Sequence, residues 1–469
     1  MNSIKKTITT IAVLLLLSPS LFTQEVSGSW QGALKVQGVE LEIMFHIKKQ
    51  DPGYITLMDS PTQGAFDIPT TKTTFQNNQI EIVIANLGAF YQGKLNKDTI
   101  KGTFNQGGMP FPLVLTKSIK KELLRPQEPK PPYPYHIEET TFLNTKENIK
   151  LAATLTLPKK TEKSPAVILI AGSGPNDRDE TVFNHKPFWI LADHLTRQGI
   201  AVLRYDKRGV GSSEGEYFTA TTKDFACDVT SAIKFLKERS DIDTTKIGLI
   251  GHSEGGIIAP MVAANNEDVK FAILMAGLGV NGTELVIAQH QHEFNKQSPN
   301  IKEIESLTQA LNVLYSNIKS WREHAGSDNE REQLREDLSI LWESLARNTQ
   351  GAMHKDTFIR QTTSKVISPW FRYFLTIDPL VYIQKLTIPV LAINGENDTQ
   401  VEFKSNLRGI ENALKKGGNN QYTIKSYPHL NHLFQESNTG EINEYGIIEQ
   451  TISPLVLADI AKWIQQQVE

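Results

Sequence analysis

Lys246-Ile247-Gly248-Leu249-Ile250-Gly251-His252-Ser253-Glu254-Gly255-Gly256-Ile257-Ile258-Ala259-Pro260-Met261-Val262-Ala263-Ala264 is the stretch that decides the fold. Its opening apolar run is short enough for a buried strand, and the run after Gly255 is long enough for a buried helix. Between them stands a serine with glycines two positions to either side. A sharp strand-to-helix turn crowds its own backbone. Small flanking residues relieve that crowding, so the serine hydroxyl projects, and the following helix N-terminus faces any negative charge that develops beside it. Gly-x-Ser-x-Gly alone is a weak pattern. With strand and helix in place, Ser253 reads as a nucleophile.

A serine hydroxyl attacks poorly until a base takes its proton, and the base must be oriented by a carboxylate. In this turn context the chain order is serine, acid, histidine. Downstream, the strand Pro389-Val390-Leu391-Ala392-Ile393 runs into a loop carrying Glu396 and Asp398, and the strand Tyr422 to Tyr427 runs into a loop carrying His429 and His432. The residues alone leave both carboxylates and both histidines open. Acyl chemistry also needs two backbone N–H groups for the oxyanion, one after the nucleophile and one after an earlier strand. Glu254 supplies the first. For the second, Val167-Ile168-Leu169-Ile170-Ala171 leads into Gly172-Ser173-Gly174-Pro175-Asn176-Asp177-Arg178-Asp179-Glu180, where the Ser173 N–H is expected and Gly174 is the alternative. The same glycines do not read as a phosphate cradle, because no Gly-Lys-Ser or Gly-Lys-Thr follows and Gly-x-Gly-x-x-Gly fails at Asp177.

Together these stretches resemble the α/β-hydrolase superfamily. Its G-x-x-D-x-x-V acid loop is matched by Gly395, Asp398 and Val401, and its histidine stretch by Asn431-His432-Leu433-Phe434. The resemblance implies Ser253, Asp398 and His432 as the triad, ahead of Glu396 and His429. Residues 172–180 resemble the G-S-G-P-x-x-R-D-E loop of a subgroup of bacterial carboxylesterases, as does Ser368-Pro369-Trp370-Phe371-Arg372-Tyr373-Phe374 with Asp378-Pro379. Asp206-Lys207-Arg208-Gly209-Val210-Gly211-Ser212-Ser213 matches a superfamily turn in which Asp206 and Arg208 are expected as a buried pair or loop brace. His252 is expected to pack, and Phe371, Tyr373 and Phe374 to fill a helical core or line a pocket. The resemblance covers residues 140–469 and implies a small-molecule carboxylic ester substrate cleaved through an acyl-enzyme. A peptidase, thioesterase or acyltransferase would use the same machinery, and a non-catalytic envelope binding protein is the reading from another class. No cofactor or metal is expected, since no His, Cys, Asp and Glu set has ligand spacing.

Beyond residue 140, strands alternate with amphipathic helices, which predicts an α/β fold with a mostly parallel sheet. About residues 281–386 the strands stop and helical spacing takes over, as in Ile304-Glu305-Ser306-Leu307-Thr308-Gln309-Ala310-Leu311, which predicts an inserted helical cap. Residues 24–118 carry short alternating runs between Gly, Asn and Asp turns and predict a small all-β barrel or sandwich. The proline-rich residues 119–139 predict a linker. Lys5-Lys6 before the apolar run Ile8 to Leu17 predicts a signal peptide over residues 1–23 and an exported, periplasmic or extracellular protein. A membrane span needs about 20 apolar residues, more than this run holds. A net charge of -3 with no basic cluster argues against nucleic acid as a partner. One cysteine, Cys227, excludes an intramolecular disulfide.

Overall fold

The structure is a computed structural model that describes residues 25–469 except 37–38, 62–64, 119–123, 160–161, 298–299, 322–325, 346–349 and 351–353. The segment read as a signal peptide lies outside the described residues. The chain divides into two compact units, the first drawn from residues up to 120 and the second holding residues 121–469.

Nine strands form the first sheet: β1 Gly28–Val36, β2 Val39–Gln50, β3 Gly53–Ser60, β4 Ala65–Pro69, β5 Lys72–Gln76, β6 Gln79–Ile84, β7 Ala89–Asn96, β8 Thr99–Gln106 and β9 Met109–Ser118. Their order is β4-β3-β2-β1-β9-β8-β7-β6-β5. Tight turns set this meander. Asn77 and Asn78 take φ of 52° and 60° between β5 and β6, and Gly107 and Gly108 take 59° and 82° between β8 and β9, the left-handed geometry that two-residue hairpins require. Thr70 and Thr73 bond to Thr56 on β3, the latter through its hydroxyl at 2.8 Å. The sheet therefore curls into a half-barrel rather than splitting into a sandwich. Alternate residues Ile80, Ile82 and Ile84 are buried, as are the rings of Trp30, Phe45 and Tyr91. A Cβ on Gly102 would stand 2.2 Å from the Gln92 carbonyl and 2.7 Å from the Tyr91 hydroxyl, so this glycine serves packing.

The second sheet has eight strands: β10 Tyr135–Asn144, β11 Ile149–Pro158, β12 Ser164–Ile170, β13 Ala201–Tyr205, β14 Ile242–His252, β15 Val269–Met275, β16 Val390–Gly395 and β17 Tyr422–Tyr427. They lie in the order β10-β11-β13-β12-β14-β15-β16-β17. The contacts of β11 with β10 and β13 are antiparallel, and those from β13 to β17 are parallel. Parallel strands are buried on both faces, which is why β12 is apolar at almost every position. Its Ile168 and Ile170 pack beneath α2 Thr222–Lys237, α3 Gly255–Ala263 and α10 Phe403–Lys416. Val167 and Leu169 pack instead against α1 Pro187–Arg197 and α12 Pro454–Val468.

Between β15 and β16 the described residues include the helices α4 Gly282–Gln297, α5 Ile301–Ser320, α6 Asp328–Glu343, α7 Lys355–Val366, α8 Pro369–Thr376 and α9 Leu380–Ile383. Most of these contribute to a core around Leu311, Leu314, Tyr315, Leu338 and Phe371 that also takes in Ile257 and Met261 of α3. A last short helix, α11 Ile442–Tyr445, follows β17. β10 begins at Tyr135, inside the stretch read as linker to 139, and pairs with β11 through ten residues to Asn144. The preceding residues are also anchored. Arg125 donates to the carbonyls of Phe183, Asn184, Gly446 and Ile448. Among the described residues, no helix is long and apolar enough to cross a membrane.

Candidate active site

Ser253 follows β14 with φ of 53°, a left-handed conformation that costs a non-glycine residue on the order of 1–3 kcal/mol. Its N–H donates to the Met275 carbonyl at 2.9 Å, which pins the turn to the neighbouring strand. The flanking glycines are steric necessities. A Cβ on Gly251 would lie 2.0 Å from the Gly255 carbonyl oxygen, and one on Gly255 would lie 2.0 Å from the Ile170 carbonyl oxygen.

The loops after β16 and β17 bring Asp398 and His432 together. His432 Nδ1 lies 2.7 Å from Asp398 Oδ2, with both residues buried. The other carboxylate oxygen accepts the Gln400 and Val401 N–H groups at 2.8 Å each, so the carboxylate is fixed before it holds the ring. A ring that gives its Nδ1 proton to a carboxylate leaves Nε2 as the base. Ser253 and His432 line one cavity of about 370 Å³. The alternatives lie elsewhere: Glu396 accepts from the Ser426 hydroxyl at 2.8 Å, and His429 is exposed.

Gly172 is held from both sides. Its N–H donates to Glu180 Oε1 at 2.6 Å, and its carbonyl accepts from Asn176 Nδ2 at 2.8 Å and from Lys207 Nζ at 2.5 Å. Ser173 and Glu254 border the cavity, and their N–H groups have no acceptor among the described residues. Gly174 does not border it.

His252 and Glu254, either side of Ser253, both reach buried polar partners. His252 places Nδ1 3.0 Å from Glu180 Oε1 and Nε2 3.0 Å from the His432 carbonyl. Both ring nitrogens thus face acceptors, so the ring bonds where the sequence had suggested simple packing. Burial works against charge on this ring, but the adjacent Glu180 carboxylate and the His432 carbonyl hold its pKa above the ordinary value. Glu254 accepts from Thr222 and Trp370 at 2.7 Å each and pairs with Lys207 at 3.2 Å. Asp206 and Arg208 do not pair with each other. Asp206 holds Arg178, and Arg208 spans Asp228 and Glu147, because each side chain points across its turn to a different neighbouring element. Lys207, Glu180 and Trp370 were not singled out from the sequence. The charged Asp-Lys-Arg run in an otherwise apolar neighbourhood was the available signal for Lys207.

The helices after β15 supply much of the remaining cavity wall, through Leu285, Val286 and Gln289 of α4 and Trp370, Phe371 and Phe374 of α8. Tyr373 is not part of it. Among the described residues, only His292, Glu293 and Glu441 offer a metal-like set of donor atoms. Lys296 pairs with both carboxylates there, and none of the three lines the cavity.

The family described as serine aminopeptidase, S33, matches residues 188–438, more than half of the chain and the span that holds Ser253, Asp398 and His432. The chain belongs to this family. Among the proteins it resembles, esterase EstD of Thermotoga maritima is 28% identical over 319 residues, 67% of this chain and 65% of EstD. The putative hydrolase YtaP of Bacillus subtilis is 28% identical over 155 residues, 29% of this chain and 52% of YtaP. The S33 chain therefore spans less than two thirds of either relative's length. Similar solved structures include an esterase of Pyrococcus furiosus, 15% identical over 71% of this chain and 91% of that one with a TM-score of 0.43. Est1E of Butyrivibrio proteoclasticus with ferulic acid bound is 18% identical over 70% and 99%, with a TM-score of 0.41. At these scores the structural likeness bears no further weight.

Proposed function

We propose that this protein is a serine hydrolase that cleaves small carboxylic esters, with Ser253 as nucleophile, His432 as general base and then acid, and Asp398 orienting His432. The observation that carries the reading is the buried 2.7 Å His432–Asp398 pair, whose histidine lines the same cavity as Ser253 on its strained turn. His432 takes the Ser253 proton as Oγ adds to the ester carbonyl, and the Ser173 and Glu254 N–H groups receive the oxyanion. The alcohol leaves with the proton from His432. Water, deprotonated by the same ring, then releases the acid. The helices between β15 and β16 act as a cap whose apolar wall accepts the acyl or alcohol chain. Export by a cleaved segment over residues 1–23 belongs to the same proposal, with the N-terminal mass of the mature protein as its test.

Membership of a serine aminopeptidase family keeps amide cleavage as the second reading, and the similarity to the esterase EstD favours esters. A fluorophosphonate probe is expected to label the full chain, and Ser253→Ala to abolish labelling while the melting temperature stays near wild type. Undiminished labelling of that variant would sink the assignment. Rates on short acyl esters, acyl thioesters and aminoacyl amides, compared side by side, decide between the readings.

A further inference from the structure

The two residues that flank Ser253 reach the oxyanion loop differently, His252 through the Glu180 carboxylate and Glu254 through a buried cation, Lys207. Lys207 is 3% exposed. Its ammonium donates to the Gly172 carbonyl at 2.5 Å, lies 3.2 Å from Glu254 Oε2 and stands 4.5 Å from the centre of the Phe225 ring. Glu254 Oε1 is occupied separately, by Thr222 and by Trp370 of α8. A buried charge is costly unless paired and hydrogen-bonded. If Gly172 needed only a brace, Asn176 already supplies a neutral one at 2.8 Å. What Lys207 adds is charge.

That charge falls on a particular peptide group. The carbonyl of Gly172 and the N–H of Ser173 belong to one planar trans unit, in which they point in opposite directions. A donor that grips the carbonyl therefore aims the N–H the other way, and Ser173 borders the cavity with its N–H unclaimed among the described residues. A charge-assisted bond is about twice as strong as a neutral one, and bonds in series polarise one another. A cation on the carbonyl oxygen thus makes the same peptide's N–H a stronger donor. Glu254 closes the circuit: its carboxylate holds the ammonium behind one oxyanion donor, while its own backbone N–H is the other.

Resting on the hydrolase reading above, we propose that Lys207 is a positioning residue of the oxyanion hole, orienting and polarising the Gly172–Ser173 peptide, with the Glu254 carboxylate as its anchor. The role predicts an effect confined to states that carry an oxyanion. Such a state is formed stably by a trifluoromethyl ketone, whose carbonyl accepts Ser253 Oγ while the serine proton passes to His432.

The test uses the full chain with Lys207→Met and Lys207→Gln, a short acyl p-nitrophenyl ester, and a trifluoromethyl ketone inhibitor. Losing a whole oxyanion donor costs about a hundred- to a thousand-fold, and here the donor remains. Lys207→Met is therefore expected to lower kcat by roughly ten- to a hundredfold with KM within about threefold, and to weaken the ketone by about the same factor as kcat/KM. Lys207→Gln, which keeps an N–H donor without charge, is expected to fall between Met and wild type. A purely structural lysine would lower the melting temperature without this parallel. Wild-type kcat and ketone affinity in Lys207→Gln, or a loss confined to KM, would overturn the proposal even if Lys207→Met does not fold. A wild-type protein that neither hydrolyses the ester nor reacts with a fluorophosphonate would instead overturn the hydrolase reading.

Discussion

At Gly255 the backbone of the Ser253 turn passes so close to β12 that a methyl group has nowhere to go, its nearest neighbour being the Ile170 carbonyl oxygen at 2.0 Å. Relief requires β12 or α3 to move, and both are core elements. Gly255→Ala is accordingly expected to cost about 2 kcal/mol or more, at the upper end of ordinary point substitutions, read as a lower urea midpoint, and to slow fluorophosphonate labelling. A variant with an unchanged midpoint would mean the turn is slack. Titration offers a second residue-scale prediction. His185 is fully buried, with Nδ1 2.8 Å from the Thr451 hydroxyl and Nε2 2.9 Å from the Tyr445 carbonyl. Burial, aided by the positive Arg125, pushes its pKa from 6.5 to about 4. The unfolded chain binds the proton first as pH falls, so stability is complete above about 6.5 and is lost between there and about 4. At about 1.4 kcal/mol per unit the full loss is on the order of 3 kcal/mol. His252 has the opposite sign, because its raised pKa contributes stability below its ordinary value that is lost as pH rises. Urea midpoints at pH 7 and pH 5 should fall less in His185→Gln than in wild type, and equal falls would remove His185 from the account.

At the scale of elements, α8 matters most because it joins the helical insertion to the Ser253 turn. Ser368 caps it by accepting the Phe371 N–H, and Pro369 occupies its first turn, where a missing N–H costs nothing. The helix presents Phe371 and Phe374 to the cavity and stacks Trp370 on Phe374, with ring centres 5.1 Å apart. The Trp370 indole N–H then reaches Glu254. Trp370→Phe keeps the ring and deletes that donor, leaving a buried carboxylate oxygen with Thr222 alone. A loss of about 1–3 kcal/mol in stability is expected, along with a KM change larger than the kcat change, because α8 forms cavity wall and does not touch the reacting atoms. Thermal melts and steady-state kinetics measure both. Wild-type values on the two counts would show that α8 docks without this bond.

At the scale of the molecule, the segment before β10 belongs with the second unit. Arg125 closes four carbonyls, and Gln127 bonds at both ends, giving its N–H to Ile452 and accepting from Thr451. These carbonyls sit in the loops that precede α1 and follow α11. A chain of residues 124–469 is therefore expected to melt several degrees above one of residues 136–469, which loses these bonds and the first residue of β10. Identical melting temperatures would return the segment to the role of a passive tether.

The α/β part was legible because its signals are local. Apolar strand runs, the Gly-x-Ser-x-Gly turn and the acid and histidine loops each lie within a few residues, and their chain order restricts the roles they take. The half-barrel was legible in class more than in detail, since β4 and β5 are short and the polar residues of β3 and β7 blur the alternation. β10 was hidden by the prolines before it, although its pairing with β11 runs for ten residues. By itself the sequence determined the fold class, the place of Ser253 on its strand-to-helix turn and the candidate residues of the site. Only the tertiary structure decided that His432 meets Asp398 while Glu396 and His429 turn outward, and that Asp206 and Arg208 serve different partners. It alone brought Lys207 to Gly172 across 35 positions and Trp370 to Glu254 across 116. Spacing along a chain encodes which face of an element a residue occupies. Which buried charge meets which partner depends on how elements distant in sequence pack, because a charge taken out of water has to find its counterpart wherever the fold places one.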